Sequence, residues 1–318
     1  MRYVFRADAS RSIGAGHVMR SSAIAEELIN RGENVFFIGQ ISNLTWVEER
    51  IAYLGFASVY SDSKEFTSNP ESDVLILDTY ELDISDAFLR PEKWLHIVTI
   101  VDQLTPDYNC TLRIHPGLDS NWTGSSKAPV LAGPKYVPFR AALSNEINPG
   151  KDKQHTIKIA VVAGGSDPYD LVVEIAKILS RIPGLFEVYL FSSSNLDSVF
   201  DSRFHCFPVG QHLDELTKDV DLVLTTASTS SLEFLARGLC VGIIRATDNQ
   251  NQYYNSLGEL GVAAQLGYRT LDNVWELEAQ KIETLVSSSH LRRKFIAKAE
   301  GLFDFSGASR IVDAITNL

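Results

Sequence analysis

The chain has 318 residues, 45% hydrophobic and 22% charged, the balance of a folded globular protein and not of a disordered or fibrous one. Its 29 basic and 40 acidic side chains leave a net charge of −11, which excludes a basic footprint for a nucleic-acid backbone while allowing a local anion site. Three widely spaced cysteines (Cys110, Cys206 and Cys240) without a Cys-x-x-Cys pair argue against a disulfide framework or a structural zinc; small buried hydrophobes in a reducing cytoplasm are their plainest reading.

In chain order, Arg2–Ala7 reads as a strand, and the turn Ile-Gly-Ala-Gly leads into a helix over His17–Arg31. Met19, Ile24 and Leu28 recur there at helical spacing, and Gly32 stops the run. Glu33–Gly39 is the next strand and Leu44–Leu54 the next helix, ending at Gly55. Asp73–Asp78 (DVLILD) and His96–Asp102 are nearly all apolar, as strands buried on both faces are. The second half repeats the grammar. Strands are expected at Thr156–Val162, Phe186–Ser192, Asp221–Thr226 and Val241–Ala246, with helices at Asp170–Ile182 and Ser230–Arg237. Polar helices are expected from there on, the last over Ala308–Asn317 with Ile311, Val312 and Ile315 on one face.

Strand, helix, strand repeated in this way predicts an α/β protein with two Rossmann-like parallel-sheet domains. The polar segment Ser144–His155, with its Pro-Gly pair and no periodicity, is the linker candidate. The expected domains are 1–147 and 148–318, with the last helix free to pack back on the first. Two such domains face each other across a cleft at the carboxyl ends of their strands, where ligands usually bind. No apolar run approaches the roughly 20 residues of a membrane span, and the N-terminus opens without a signal-peptide apolar region. A mature cytoplasmic protein without stable membrane insertion or nucleic-acid partner is the expectation.

Three segments carry candidate chemistry. In Arg6–Arg20, Gly14 and Gly16 allow close backbone approach ahead of a helix whose free N–H groups suit a phosphate or sugar oxygen. Only two glycines match a dinucleotide fingerprint, so a nicotinamide cofactor is disfavoured. His17 falls in the first turn, where the positive helix end disfavours a second positive charge. A neutral imidazole there can act as general base, or merely cap the helix or fill a pocket. In Val161–Pro168, Gly164 and Gly165 either cradle a phosphate or form a tight turn in which Asp167 starts the helix; no P-loop ending follows. In Asp221–Gln252, a hydroxyl cluster including Ser228, Thr229 and Ser230 opens a helix and can bind an anion.

Glu233 in that helix can accept bonds from ribose hydroxyls or simply complement the helix dipole, and Asn249 and Gln250 follow the next strand. Tyr80, Asp78 and Asp102 fall at strand ends, where they position a water or a sugar or merely pack a loop. His96, His115, His155, His205, His212 and His290 show no metal-ligand spacing, so no metal and no cofactor are expected.

Taken together, RADAS-x-x-IGAGHVMR, LILDTY, AGPKYVPFR, AGGSDP and SLEFLARG…DNQ resemble the UDP-2,4-diacetamido-2,4,6-trideoxy-β-L-altropyranose hydrolase family (the PseG type) of pseudaminic acid biosynthesis, a relative of MurG-type glycosyltransferases. The resemblance implies a glycosyltransferase-B-like fold with the sugar on the first domain and UDP on the second. It implies metal-free hydrolysis of a UDP-sugar at the anomeric carbon, with inversion. His17 matches the family's base. Tyr80, Arg140 and Asn249 match its substrate-binding positions, with Arg20 and the glycine turn beside them, and Glu233 matches the ribose-binding glutamate. Where the family has a Gly-Gly pair before that helix, this chain has Ala227 and Ser228, which places two Cβ atoms on the approach to a diphosphate and leaves the nucleotide's identity open. The partner is a UDP-sugar substrate, and a monomer or weak dimer is expected. A glycosyltransferase of the same fold and a catalytically silent nucleotide-sugar binder are the alternatives.

Overall fold

The structure is a computed structural model that describes residues 1–124, 127–146, 156–192, 196, 200–210 and 213–318. It divides the chain into two compact α/β units, unit 1 of Met1–Ala141 with Phe303–Leu318 and unit 2 of Ala142–Leu302. Residues 147–155 of the expected linker lie outside the described residues.

Unit 1 is built on β1 (Arg2–Ala7), β2 (Ala9–Ser10), α1 (Gly16–Asn30), β3 (Asn34–Ile38), β4 (Ile41–Ser42), α2 (Thr45–Tyr53), β5 (Ser58–Tyr60), β6 (Asp73–Asp78), β7 (His96–Ile100), β8 (Leu112–His115) and β9 (Val130–Ala132). Its main sheet runs β5-β3-β1-β6-β7-β8-β9, parallel throughout. Period-two alternation sorts the central strands between two cores. Tyr3, Phe5, Val74 and Ile76 pack with Val18, Ile24 and Leu28 of α1, and Ile311, Val312 and Ile315 of the C-terminal helix join them. Val4, Leu75 and Leu77 pack on the other face with Trp94 and Tyr108. All six residues of β6 are buried, including Asp73, whose carboxylate is met by Arg2 Nε at 2.7 Å. Gly32, with φ +82°, ends α1 in the conformation that favours glycine.

Unit 2 contains β10 (Ile157–Val162), α3 (Leu171–Ser180), β11 (Phe186–Phe191), β12 (Phe204–Phe207), α4 (Leu213–Leu216), β13 (Leu222–Thr226), α5 (Thr229–Ala236), β14 (Cys240–Arg245), α6 (Asn251–Leu260), β15 (Ala264–Arg269), β16 (Trp275–Leu277), α7 (Ala279–Ser287) and α8 (Ser289–Ala299). Its sheet runs β12-β11-β10-β13-β14-β15-β16, parallel except for the last, antiparallel pair. Each sheet therefore reverses its strand order between two central strands, β1 and β6 in one unit and β10 and β13 in the other. The carboxyl side of such a reversal is the usual ligand position in an open α/β sheet.

The expected strands and helices of both halves are present, with ends shifted by one or two residues. The polar stretch after Ala246 departs from expectation, because the hairpin β15–β16 interrupts it. Its sequence, Ala-Gln-Leu-Gly-Tyr-Arg, lacks a clean alternation. Gly267 sits there at φ +130°, and a Cβ on it would lie 2.0 Å from the Glu276 carbonyl oxygen across the hairpin. The fold is thus α/β with two Rossmann-like parallel-sheet domains. No helix of the described residues is long and apolar enough to cross a membrane. Cys240 is buried, while Cys110 and Cys206 are only half-buried, so the expectation of three core thiols holds for one.

Candidate active site

In unit 1 the segments leaving β1 and β6 meet at the strand-order reversal. The turn after β1 is closed by its own bonds: Gly14 N–H donates to Ser10 O at 2.8 Å and Ile13 N–H to Ser10 Oγ at 3.1 Å. Gly14 has φ +82° with open space beside it. Helix α1 then starts at Gly16 with no side-chain cap, so its first amides stay uncapped by the protein's side chains. His17 is the second residue of that helix and 6% exposed.

The neighbour that governs His17 is Asp78, the last residue of β6. Alternation along β6 turns Asp78 toward α1, on the same face as Val74 and Ile76. Its carboxylate is fully buried and accepts four bonds: from His17 Nδ1 at 2.6 Å, Arg20 Nε at 2.7 Å, Arg20 Nη2 at 2.6 Å and Ser21 Oγ at 3.1 Å. Burial opposes ionisation of Asp78, but Arg20 and His17 outweigh it and hold the group at about 2. A carboxylate only accepts, so Nδ1 carries the proton and, in the neutral ring, Nε2 carries the lone pair. The electrostatic partner of the imidazole is therefore this carboxylate, whereas the sequence argument rested on the helix end alone.

Arg20 lies one turn along α1 from His17 and is 7% exposed. Its guanidinium joins two acids, bonding Asp78 and standing 3.7 Å from Asp102. Burial disfavours its charge, but the two carboxylates hold it protonated well above the ordinary value. Arg20 thus spends Nε and Nη2 on the Asp78 carboxylate. Tyr80 donates its hydroxyl proton to Asp102, and its ring stands edge-on to His17 with centroids 4.5 Å apart at 89°. Burial raises the phenol above its ordinary value and Asp102 adds to this, while Arg20 pulls the other way. His17, Asp78, Arg20, Asp102 and Tyr80 thus close a ring of contacts.

Other residues fall elsewhere. Arg140 is half-buried, and the N–H of the next residue, Ala141, donates to Glu26 at 3.3 Å. Glu26 lies nine residues along α1 from His17, about 13 Å at the helical rise. The structure therefore brings the backbone at Arg140 to the middle of α1, not to His17. His115 ends β8 and is 1% exposed, with Nδ1 3.1 Å from Val101 O and its ring stacked on Trp122 at 4.4 Å. Burial lowers its pKa. His96 is half-buried, His205 and His290 are exposed, and His155 and His212 lie outside the described residues. Among the described residues, no group of three or more His, Cys, Asp or Glu side chains is placed to hold a metal ion.

In unit 2 the two candidate loops behave differently. After β10, the Asp167 carboxylate accepts from Leu171 N–H at 2.8 Å and Val172 N–H at 3.2 Å. The Leu171 and Val172 amides at the start of α3 are therefore occupied by Asp167, and Gly164 turns the loop ahead of them at φ +68°. Burial raises Asp167 to about 6 against the pull of those N–H groups. After β13, Ser228 precedes α5 but gives it no side-chain cap, its Oγ lying 3.1 Å from Thr226 Oγ1 instead. Thr229 and Ser230 open that helix half-buried. Ala227 is 0% exposed and its N–H bonds Ile244 O, so its Cβ is packed inside and only Ser228 adds bulk at the loop surface. Glu233 is the fifth residue of α5, beyond the first turn, so the helix dipole explains little of its presence.

After β14, Gln250 Oε1 accepts from Ala246 N–H at 2.7 Å and closes the turn, while the exposed Asn249 accepts from Thr247 Oγ1 at 2.5 Å. Arg245 at the end of β14 escaped the sequence reading. It donates to Asn251 Oδ1 at 2.6 Å and lies over the Tyr268 ring at 5.0 Å. A lone cation closing an apolar strand was the available signal.

No protein-family model matches the chain. An uncharacterised protein of Methanocaldococcus jannaschii is 24% identical over 285 residues, covering 80% of this chain; the match spans 58% of that protein's own length. Among solved structures, Acinetobacter baumannii MurG has a TM-score of 0.66 at 12% identity, covering 100% of both chains. The calicheamicin glycosyltransferase CalG4 has a TM-score of 0.61 at 13% identity, covering 100% of this chain and 98% of its own. At these identities the likeness is one of fold, and the fold is of the glycosyltransferase-B class.

Proposed function

We propose that this chain hydrolyses a UDP-linked diacetamido-trideoxy sugar to UDP and the free sugar. Unit 1 supplies the base and sugar contacts, and unit 2 supplies the nucleotide contacts. The observation that carries the reading is the His17–Asp78 pair, 2.6 Å from Nδ1 to Oδ1. A buried carboxylate holding Nδ1–H fixes the tautomer and leaves Nε2 as proton acceptor, the arrangement by which an imidazole activates a hydroxyl or a water. In the reaction Nε2 takes a proton from water as its oxygen bonds the anomeric carbon. The bond from that carbon to the diphosphate oxygen breaks, and the electron pair leaves with UDP, so the configuration inverts. The uncapped amides at Thr229 and Ser230, with Glu233 and Asn249, support a nucleotide role for unit 2. The motif resemblance supports the sugar class.

The same base suits a sugar hydroxyl, so a glycosyltransferase is the rival, and the likeness to the calicheamicin glycosyltransferase favours it on fold. Time-resolved NMR of a UDP-diacetamido-trideoxy sugar with the purified protein separates the readings. The hydrolase reading expects UDP and free sugar without any acceptor, with the inverted anomer formed first. Release only in the presence of an acceptor overturns it for a transferase. A UDP-induced rise in melting temperature without turnover of any sugar nucleotide overturns it for a silent binder.

A further inference from the structure

We infer that Asp102 is a positioning residue that fixes the Tyr80 hydroxyl as a hydrogen-bond acceptor beside His17, so that the attacking water is held by two acceptors. The inference rests on the hydrolase reading for its chemistry and on the unit 1 geometry for its atoms. Tyrosine has one hydroxyl proton, and in this structure it is spent on Asp102 Oδ2. What Tyr80 can still offer a ligand is lone pairs. In the base form that the reaction uses, His17 Nε2 likewise offers only a lone pair, and the two ring centroids are 4.5 Å apart. A water has two protons and two lone pairs. One proton directed at Nε2 and one at Tyr80 Oη leaves an oxygen lone pair for the anomeric carbon, and this pairing fixes the water's orientation as well as its position.

The carboxylate of Asp102 is itself held in register. Oδ1 accepts from Leu104 N–H at 3.0 Å and from Thr105 Oγ1 at 3.1 Å, while Asp102 N–H donates back to Thr105 Oγ1 at 2.9 Å. Two donors on Oδ1 leave Oδ2 for Tyr80, with Arg20 Nη2 3.7 Å away. This asymmetry dictates what an amide does. In Asp102→Asn the carbonyl oxygen stays against the two donors, and the NH₂ replaces Oδ2. That group then donates to Tyr80 Oη and turns the hydroxyl proton outward, converting the acceptor into a donor that opposes a water proton.

The test compares Asp102→Asn, Asp102→Glu, Tyr80→Phe and the double variant Tyr80→Phe/Asp102→Asn. Asp102→Asn is expected to lower kcat about tenfold or more with KM within about threefold. Asp102→Glu, which keeps an accepting carboxylate, recovers most of the rate. In the Tyr80→Phe background the same Asp102→Asn change costs less than about threefold, because no hydroxyl remains to reverse. An undiminished cost in that background, or a loss confined to KM, overturns the inference. A crystal structure of the parent provides the arm that needs no turnover. An ordered water bonded to both His17 Nε2 and Tyr80 Oη, displaced in Asp102→Asn, supports the inference, and its absence from the parent overturns it. A parent that releases no free sugar sinks the hydrolase reading alone, and the crystallographic arm still decides the role of Asp102.

Discussion

Asp78→Asn is the substitution on which the account of unit 1 turns. The carboxylate receives four donors, none of which water can replace in a group that is 0% exposed. An amide offers one oxygen where two were and sets an NH₂ group against Arg20 or against His17 Nδ1. Removing one partner of a buried ion pair costs about 3–5 kcal/mol, because the remaining charge is left without compensation. Arg20, 7% exposed, is that remaining charge, and Asp102 at 3.7 Å compensates it only in part. For a unit of about 150 residues each kcal/mol shifts the melting temperature by roughly 2–4 °C, which gives a loss of roughly 6–20 °C. Turnover falls further than stability alone requires. An amide that donates to Nδ1 moves the ring proton to Nε2 and removes the base, a change worth about 10²–10⁴ in rate.

Asp78 also leaves a signature in acid. Its folded value of about 2 lies below the ordinary 3.8, so its contribution is complete above about pH 4 and is lost as the pH falls toward 2. That gap is worth about 2 kcal/mol. Melting followed by circular dichroism from pH 2 to 7, beside UDP release at pH 7, measures both effects. An Asp78→Asn protein that melts within about 1 °C of the parent and keeps its turnover refutes the reasoning, since neither the ion pair nor the tautomer would then depend on the carboxylate.

His17→Ala is expected to lose about 10²–10⁴ in turnover while retaining the UDP-induced rise in melting temperature, read by calorimetry; loss of both would place His17 in binding and not in chemistry. Asp167→Asn acts in a different pH window. Because burial raises Asp167 to about 6, the parent loses stability as the pH rises from about 4 to 6. The variant cannot ionise, so its stability should gain on the parent's by up to about 3 kcal/mol across that range, and parallel melting profiles would contradict the assignment. Gly267→Ala should destabilise unit 2 by about 1–3 kcal/mol, seen as faster amide exchange in β15 and β16, since its Cβ would meet the Glu276 carbonyl at 2.0 Å.

The fold was largely legible in the sequence because buried parallel strands write themselves as apolar runs. DVLILD and IKIAVV need no partner to be recognised, and the glycines at 32, 55 and 238 mark where helices stop. What escaped is short or lacks a clean alternation. Residues Phe204–Phe207 and Ala264–Arg269 are strands because a neighbour offers a row of unpaired backbone groups, a property of the sheet and not of the segment. The last helix, left free in the sequence to pack back on the first domain, does so through Ile311, Val312 and Ile315.

The candidate site divides in the same way. His17 and Tyr80 announce themselves locally, one in a glycine turn and the other past a buried strand, and each falls at the edge where the strand order reverses. Their partners are decided at a distance. Asp78 reaches His17 across 61 residues, and Arg20 finds Asp78 across 58. A lone acid ending an apolar strand cannot be left buried without a cation, so the strand end itself demands one. Helix α1 supplies it from the residue one turn after His17, which places base, acid and cation in a single packing contact. For that reason Arg20, whose sequence neighbourhood invites a substrate role, spends Nε and Nη2 on Asp78. A second acid nearby, Asp102, stands beside Tyr80 and faces the same guanidinium. Charge balance thus explains why the motif carries an arginine three residues after its histidine: it holds the buried Asp78 carboxylate ionised, and that carboxylate fixes the tautomer of the ring.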